Sequence, residues 1–509
     1  MLIPTIQPPA RGVLESAIGF KNAVIVRPGE SVIDKYNWLK SSNRDAVMGA
    51  LSANNRRTLI LAPGKHYING DTPTAWVYSK NINTNGAVRT SGVTTLTFTM
   101  ATFRLGDTIV VAGVGDTSFN GTFVISELVT ASIIKYEQPG LPDTTSTGGT
   151  ATRTLYCRRG TLTLDTDFVD ICSLAGDPTT TEIISEGGSA SSIYTLTQTC
   201  NDVILKGFTL RNTNDDVNSP ALNSQGFNVN CTTGDNANSK YIDMIFTTQL
   251  AGIFGNSASR IPVFGTTDLK GTWWKCKLGD YAARVAVNKT AGGVWYYCIF
   301  GTFSVAGDSS GVTISGQFYY CTAGDSSWGG CTLFGCNITS VAYFEGCVGG
   351  NDCWALGKTF AATAVRCKGG LRCFAGFVHT SYPSSMTGTL IDCEASGASA
   401  GSGHSTCVNS GTIRRCRLTA MVEAMYCTGA RIEDSYLQVT TADKSTLVLN
   451  DSNSKVYNST LIANGSGKSI YAAAAKNVVS AHNRMNLGLD ANVTNLVATP
   501  YDVVDSDIA

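Results

Sequence analysis

The sequence carries little charge and little histidine. Only 15% of the 509 residues are charged, and 38 basic residues balance 38 acidic ones. No basic run is present, which argues against nucleic acid as a ligand. The four histidines (His66, His379, His404 and His482) define no Ser/His/Asp order, and we expect structural or surface roles for them.

Long apolar runs are also missing. No stretch reaches the roughly 18 apolar residues of a membrane span, and the N-terminus has neither the basic region nor the apolar region of a signal peptide. We therefore expect a soluble chain without a membrane span that does not use a standard signal peptide. Leu and Ala show no sustained helical spacing, so little helix is expected outside the N-terminal region.

Seventeen cysteines are present, but the motifs that would give them chemistry are absent. There is no C-x-x-C and no paired histidine, so we reject a zinc site even where cysteines lie close in sequence. An odd cysteine count in a large chain argues against a disulfide scaffold. We expect mostly free thiols in a core. No dense acidic cluster suggests calcium, and no cofactor is expected.

Glycine is abundant, with 53 residues, and a short pattern returns from residue 203 onward. An apolar residue is followed three positions later by a small one, with most steps scattering around 22 residues. The apolar members are Ile204, Ile242, Trp273, Trp295, Phe318, Phe344, Ala364, Leu390, Ile413, Ile432, Val456 and Val478. The small members are Gly207, Ile245, Cys276, Cys298, Cys321, Cys347, Cys367, Cys393, Cys416, Ser435, Ser459 and Ala481. This spacing predicts an all-β fold, a right-handed parallel β-helix.

The geometry of strands explains the pattern. The apolar residue ends one strand, two residues turn a corner, and the small residue begins the next strand pointing inward. Asp392, Asp434 and Asn458 precede the small residue, where a tight corner favours residues that tolerate left-handed backbone angles. Residues two positions past the small one, such as Leu278 and Phe300, should share its inward face.

Residues 31 to 70 predict a short helix followed by a strand that ends in Pro63, Gly64 and Tyr67. This segment resembles the opening of pectate-lyase-like β-helix proteins, in which a helix caps the apolar end of the coil. Such a cap is expected on physical grounds, because an open end would expose core residues and unpaired backbone groups.

Residues 93–152 change to a compact set of strands that closes in a Gly-rich run. With Gly106–Ile109 and Phe119–Phe123, this segment resembles a small β-module of bacteriophage tail and structural proteins. The expected organisation is an N-terminal arm for virion attachment (1–30), the helix cap and first strands (31–92), the inserted module (93–152), the β-helix (153–490) and a C-terminal cap or tail (491–509).

The resemblance is to a bacteriophage tailspike or tail fibre. It implies a homotrimer on the virion that contacts other tail or capsid proteins and attaches to a host surface polysaccharide. Two alternatives stay open: a polysaccharide depolymerase of the glycoside hydrolase class, and a purely structural head-fibre or decoration protein. A bacterial surface protein is a third reading, which would normally need an export signal.

The residues that could carry such chemistry lie after successive small residues. Asp280, Asp325 and Asp352 follow Cys276, Cys321 and Cys347 by four or five positions, and we expect them along one edge as candidate catalytic carboxylates. Ordinary turn chemistry explains them equally well. Aromatic residues accompany this region, and any that point outward would form platforms for sugar rings. The candidate substrate-binding residues are Tyr319, Trp328 and Trp354.

Overall fold

A computed structural model describes residues 22–505, except 100–102, 104, 131, 188–192, 215–223, 232–235, 249–262, 266–267, 281–283, 286–287, 303–304, 306–311, 326, 329–336, 351–352, 355–358, 371–384, 397–406, 422–424, 441, 450 and 498–500. Three faces of parallel strands wrap around one axis, which confirms the predicted right-handed parallel β-helix. Over the described residues, sheet 1 has sixteen strands, sheet 2 has fifteen, and sheet 3 has a five-stranded and a nine-stranded part.

Sheet 1 consists of Ala23–Val26, Arg57–Leu61, Val169–Ser173, Ile204–Lys206, Lys240–Ile242, Thr272–Trp274, Val294–Tyr296, Gln317–Tyr319, Tyr343–Glu345, Thr363–Val365, Thr389–Ile391, Thr412–Arg414, Arg431–Glu433, Lys455–Tyr457, Lys476–Ala481 and Val493–Asn495. Sheet 2 consists of Gly64–Tyr67, Thr181–Gly187, Thr209–Asn214, Ile245–Thr248, Lys277–Leu278, Ile299–Phe300, Thr322–Ala323, Val348–Gly349, Lys368–Gly369, Glu394–Ser396, Arg417–Met421, Tyr436–Val439, Thr460–Ile462, Arg484–Met485 and Val503–Val504. Sheet 3 begins with Leu162–Leu164, Ile193–Gln198, Ser224–Val229, Val263–Gly265 and Arg284–Val285. Its second part consists of Thr290–Ala291, Thr313–Ile314, Asn337–Ile338, Thr359–Phe360, Ser385–Met386, Cys407–Asn409, Met425–Cys427, Leu447–Leu449 and Ile470–Tyr471.

The N-terminal end is capped by helix α1, Val32–Lys40, as predicted. The Ser31 hydroxyl accepts a hydrogen bond from the Asp34 N–H, which satisfies one free donor of the first turn. Tyr36 and Leu39 are fully buried in the core that runs through the β-helix. A second short helix, α2, spans Asp45–Met48, and 3₁₀ turns cover Ser42–Arg44 and Thr117–Phe119.

An antiparallel module with its own core interrupts the first coil. One of its sheets contains Thr74–Asn81, Thr150–Cys157, Thr108–Ala112 and Gly121–Val124. The other contains Thr144–Ser146, Ala87–Thr90, Val93–Thr97, Ile133–Glu137 and Glu127–Thr130. The antiparallel strands extend beyond residues 93–152 on both sides, because Thr74–Asn81 and Thr150–Cys157 pair along their whole length.

The predicted apolar positions of the central coils stack along the interior. Trp273 pairs with Trp295 and Trp295 with Phe318, and all three are fully buried. The rings of Trp273 and Trp295 stack with centroids 4.4 Å apart. Leu278 and Phe300, predicted to point inward, are 3% and 2% exposed. The interior of these coils is therefore a continuous aromatic and aliphatic stack.

One residue per coil turns the corner from sheet 1 to sheet 2 in the left-handed region, with φ between 49° and 73°. We call these residues the corner column: Gly207, Asp243, Lys275, Tyr297, Tyr320, Gly346, Arg366, Asp392, Arg415, Asp434, Asn458 and His482. The expectation of left-handed angles at Asp392, Asp434 and Asn458 is confirmed. The other members include side chains that rarely adopt this conformation, so the coil geometry itself must hold them there.

The residue after each corner lies inside, and from Cys393 onward its N–H points towards a side chain of the next coil. Cys416 N–H donates to Ser435 Oγ, Ser435 N–H to Ser459 Oγ, and Ser459 N–H to Asn483 Oδ1, at 3.1, 3.1 and 2.8 Å. Cys393 N–H points at the Cys416 sulfur, 3.4 Å away. A small side chain with an acceptor atom satisfies each of these N–H groups, which explains the choice of Cys, Ser and Asn at this position.

The predicted register is wrong in the outermost coils. Strand pairing places Leu205 and Tyr241, not Ile204 and Ile242, in line with Trp273. The residues after the corner are then Phe208 and Met244, both fully buried, in place of Gly207 and Ile245. The small-residue signal is missing there because large apolar side chains fill the same position.

The C-terminal coil shows the same kind of shift. Ser480, not Val478, pairs with Val456, and the residue after the corner is Asn483, not Ala481. Asp502 closes this end: its Oδ1 accepts from Asn483 N–H at 2.8 Å and its Oδ2 from the Ser480 hydroxyl at 2.7 Å. The polar ladder thus ends on a carboxylate supplied by the chain that follows.

We expect Asp502→Ala to destabilise the last coils by about 1–3 kcal/mol, because Asn483 N–H and the Ser480 hydroxyl lose their acceptor. Asp505→Ala is the matched control, since it removes a partly exposed ion pair with Arg484 and should cost less than about 1 kcal/mol. Hydrogen exchange of the amides around Asn483 measures the difference. Equal protection in both variants would contradict the assignment.

All thirteen described cysteines that can be assessed are free thiols, and twelve of them are buried, as predicted for a core. Burial raises the pKa of Cys172 to about 12, and the neighbouring thiol of Cys367 together with burial raises the pKa of Cys393 to about 12. Cys157 alone among the thirteen is half-buried.

Thiol alkylation tests this arrangement, because the thiolate is the reactive form. At mildly alkaline pH in the folded protein, we expect Cys157 to react with iodoacetamide while Cys172 and Cys393 react at least about a hundredfold more slowly. All three should react at similar rates in guanidinium chloride. Peptide mass spectrometry gives the rates, and rapid labelling of Cys393 in the folded state would show that the core is open.

Candidate functional site

Aromatic side chains cover the outside of the corner in three successive coils. Tyr297 and Tyr320 belong to the corner column and are 39% and 47% exposed. Trp274, Tyr296 and Tyr319 lie one position earlier, at the ends of their sheet 1 strands. We call these five residues the aromatic corner. The fold presents them because the residue at the corner cannot point into the core.

The rings form two rows along the helix axis. Tyr297 and Tyr320 stack with centroids 5.4 Å apart and planes 11° apart, and Tyr296 and Tyr319 stack at 5.0 Å and 14°. Trp274 meets Tyr297 edge to face at 5.4 Å. Parallel strands place equivalent residues about 4.8 Å apart, so the stacking follows directly from the register of the coils. The aromatic surface is therefore held by the backbone.

Tyr320 differs from its neighbours because its ring lies over a glycine. A Cβ atom on Gly346, in the next coil, would lie 2.5 Å from Cδ1 of Tyr320. Gly346 occupies the corner with φ of +62°, where every other coil except that of Gly207 carries a side chain. The missing side chain lets one face of the Tyr320 ring rest on the next coil while the residue stays 47% exposed. The Tyr297 ring stacks against Tyr320 from the previous coil. We call the part of the Tyr320 ring that neither neighbour covers the platform.

A polar group borders this platform. Glu345 accepts a hydrogen bond from the Tyr343 hydroxyl at 3.1 Å and forms a close ion pair with Arg366. The Arg366 side chain is 51% exposed and lies close to the Tyr320 side chain. Glu345 is 16% exposed, so the carboxylate remains accessible at the edge of the ring.

The protonation states at this rim are well defined. Burial and the negative charge of Glu345 raise the pKa of the Tyr343 hydroxyl, so that it stays protonated and donates to the carboxylate. Burial alone would lower the pKa of Arg366, but Glu345 together with Tyr320 and Tyr343 outweighs it and the pKa is raised. The rim thus offers one carboxylate acceptor and a permanently charged guanidinium donor beside an aromatic face.

Of the predicted catalytic carboxylates, Asp280 and Asp325 are exposed. Oδ1 of Asp280 accepts a hydrogen bond from Thr302 N–H in the next coil at 2.8 Å, and it lies against Gly301. Asp325 lies against Gly350 in the same way. Both carboxylates thus contact the backbone of the following coil, an ordinary role in joining loops of adjacent coils.

The structure does not bring these two carboxylates into neighbouring coils. The strands Lys277–Leu278, Ile299–Phe300 and Thr322–Ala323 pair in sequence, so Asp280 and Asp325 are two coils, or roughly 10 Å, apart along the axis. Asp352 lies outside the described residues, and its pairing with Asp325 stays a prediction.

The predicted outward role of Trp328 and Trp354 is wrong. Both are fully buried in the main core, where their rings stack with centroids 4.7 Å apart, so neither can contact a sugar in this chain. The interior of these coils is wide enough to hold a second aromatic stack beside Phe318 and Phe344. Tyr319 does belong to the outer surface but is only 6% exposed, because neighbouring rings cover it.

Sequence reasoning missed the Tyr320, Glu345 and Arg366 group. Tyr320 is one of many aromatic residues in this part of the sequence, and no motif sets Glu345 apart from the other acidic residues. Gly346 is the signal that could have identified the site, since it is a glycine at a corner position where the flanking coils carry Tyr320 and Arg366.

Within the described part of the chain, no group of three or more His, Cys, Asp or Glu side chains is placed to hold a metal ion. No helix in that part is long and apolar enough to cross a membrane.

Gly346→Ala should lift the Tyr320 ring from the surface, because the new Cβ would overlap it. Gly429→Ala is the matched control: its φ of +81° brings the same backbone strain, but the nearest atom to its Cβ is 3.8 Å away. Both variants should lose about 1–2 kcal/mol of stability. Nitration of Tyr320 by tetranitromethane, followed by peptide mass spectrometry, should increase only in Gly346→Ala. Equal nitration in both variants would show that Gly346 does not hold the platform.

No protein-family model and no curated protein sequence matches this chain. Among solved structures, the catalytic domain of a GH87 α-1,3-glucanase in complex with tetrasaccharides is similar at 8% identity and a TM-score of 0.29, over 85% of this chain and 88% of that chain. The tailspike protein gp49 from Pseudomonas phage LKA1 is similar at 9% identity and a TM-score of 0.18, over 92% and 80%. The tailspike gp61 of Pseudomonas phage phi297 is similar at 9% identity and a TM-score of 0.23, over 91% and 81%. Likeness at this level transfers no activity to this chain, whose fold class follows from its own strand order.

Proposed function

We propose that this chain is a carbohydrate-binding spike or fibre of a phage particle, which attaches the particle to a polysaccharide on the host surface. The observation that carries the proposal is the half-exposed Tyr320 ring, which contacts Gly346 beside the Glu345 and Arg366 pair. The surface polysaccharide would lie on the aromatic corner.

Sugars are recognised by this combination of groups. The C–H face of a pyranose ring packs on an aromatic face, and its hydroxyls exchange hydrogen bonds with charged side chains at the edge. Tyr320 supplies the face, Glu345 accepts from hydroxyls, and Arg366 donates to them.

Rigidity favours binding at this site. The rings of the aromatic corner stack on one another, and Arg366 and Tyr343 hold Glu345. Side chains ordered before the ligand arrives lose little conformational entropy on binding. A polymer aligned with the axis would meet one set of corner side chains in each coil.

The place on a virion rests on the inserted module. The segments that resemble phage structural proteins contain two paired strands, Thr108–Ala112 and Gly121–Val124, within a unit that has its own core. Such a unit can fold independently of the coils. We propose that the N-terminal region attaches to tail or capsid proteins, that the chain is a homotrimer on the particle, and that the β-helix projects from it.

Catalysis is the second candidate function, with Asp280 and Asp325 as its carboxylates. The hydrogen bond from Thr302 N–H to Asp280 favours a structural role for this residue. A purely structural fibre is the third candidate and predicts no binding to any glycan.

Binding to purified surface polysaccharide from candidate hosts tests the proposal. We expect Tyr320→Ala to weaken binding by at least about tenfold, which corresponds to about 1.4 kcal/mol of lost stacking and burial. Tyr156→Ala is the matched control, because Tyr156 is 72% exposed and lies in the module. Equal binding of both variants and the wild type would place the ligand elsewhere.

Release of reducing ends or unsaturated sugars separates binding from cleavage. We expect no release by the wild type, and we expect Asp280→Asn and Asp325→Asn to bind the polysaccharide as the wild type does. Release that these substitutions abolish, in variants that still fold, would establish a depolymerase and contradict a binding-only role.

A further inference from the structure

Charges around the platform are balanced one for one. The corner column carries six charged residues, of which three are cations (Lys275, Arg366 and Arg415) and three are anions (Asp243, Asp392 and Asp434), so their sum is zero. Along the axis the two signs alternate wherever charged corners follow one another. The corner column itself therefore gives no net attraction for an anionic polymer.

The cation nearest the platform is already paired. The guanidinium of Arg366 forms a close ion pair with Glu345. In the following coils Arg415 binds both carboxylate oxygens of Asp392, at 2.6 and 2.8 Å. A sugar carboxylate that bound the remaining N–H groups of Arg366 would lie beside the Glu345 carboxylate, which is unfavourable for two like charges.

Hydroxyl groups meet no such obstacle. Glu345 has further lone pairs for hydroxyl donors, and Arg366 has further N–H groups for hydroxyl acceptors. A pair of neighbouring sugar hydroxyls can therefore bridge the carboxylate and the guanidinium without breaking their ion pair. The flat ring of Tyr320 beside them fits the apolar face of the same sugar.

We infer that the platform selects an uncharged polysaccharide segment, with one sugar ring on Tyr320 and its neighbouring hydroxyls on Glu345 and Arg366. This inference rests on the proposed glycan-binding function and specifies its substrate class. It makes the Glu345 and Arg366 pair the group that determines specificity against acidic sugars.

The test uses host surface polysaccharide that contains uronic acids, before and after chemical reduction of the carboxyl groups to alcohols. Isothermal titration of the full chain at low and high NaCl gives the affinities. We expect the reduced polymer to bind at least as tightly as the native one, and its Kd to change by less than about twofold with salt, since no ligand charge is screened.

Glu345→Gln removes the negative charge that pairs with Arg366 while keeping the shape of the side chain. We expect this variant to gain at least about fivefold in affinity for the native acidic polymer relative to the reduced one, in a salt-dependent manner. Glu433→Gln is the matched control, because Glu433 also ends a sheet 1 strand, is 18% exposed and forms an ion pair with Arg431, four coils beyond Glu345. It should leave the preference unchanged.

Two results would overturn the inference, and they differ in whether the proposed glycan-binding function also fails. If only the native acidic polymer binds, and high salt weakens it strongly, the ligand is anionic and the glycan-binding function still stands. If neither form binds from any candidate host, the glycan-binding function fails and the inference fails with it.

Discussion

The structure depends on one backbone constraint, the left-handed residue that turns each coil from sheet 1 to sheet 2. After this residue the next N–H points towards the following coil, where a side chain and not a backbone carbonyl accepts its hydrogen bond. From Cys416 to Asp502 these acceptors are visible, with hydroxyl, amide and carboxylate oxygens at 2.8 to 3.1 Å. The small position after the corner, its polarity and the register of successive coils all follow from this need.

The same constraint creates the candidate site. A residue in the left-handed corner cannot turn its side chain into the core, so each coil must expose whatever residue it carries there. In most coils that side chain stands above its own corner, but at Gly346 the absence of one leaves room that the Tyr320 ring fills. Arg366, at the next corner, then reaches both the carboxylate of Glu345 and Tyr320. A repeated structural device and one glycine together produce a rigid aromatic platform with a neutral polar rim.

Much of the fold could be predicted from the sequence because the apolar and small residues of the repeat lie on either side of each corner. Trp273, Trp295 and Phe318 lie where the spacing places them, and Asp392 and Asn458 show the expected backbone angle. The register of the first two coils and the last coil of the repeat could not be predicted. Phe208 and Met244 are large where the repeat has a small residue, and Asn483 is polar there. The burial of Trp328 and Trp354 could not be predicted from the sequence either, because the width of the interior depends on the loops between strands. The platform was missed for a similar reason: the chain shows an aromatic residue and a distant glycine, and only the coil spacing brings them into contact.

A crystal structure of the protein with an oligosaccharide prepared from the surface polysaccharide of a susceptible host tests the central claim most directly. We expect electron density for a sugar ring packed on the exposed face of Tyr320, with its hydroxyls within hydrogen-bond distance of Glu345 and Arg366. A sugar bound instead at Asp280 and Asp325, with the Tyr320 face empty, would contradict the assignment of the site.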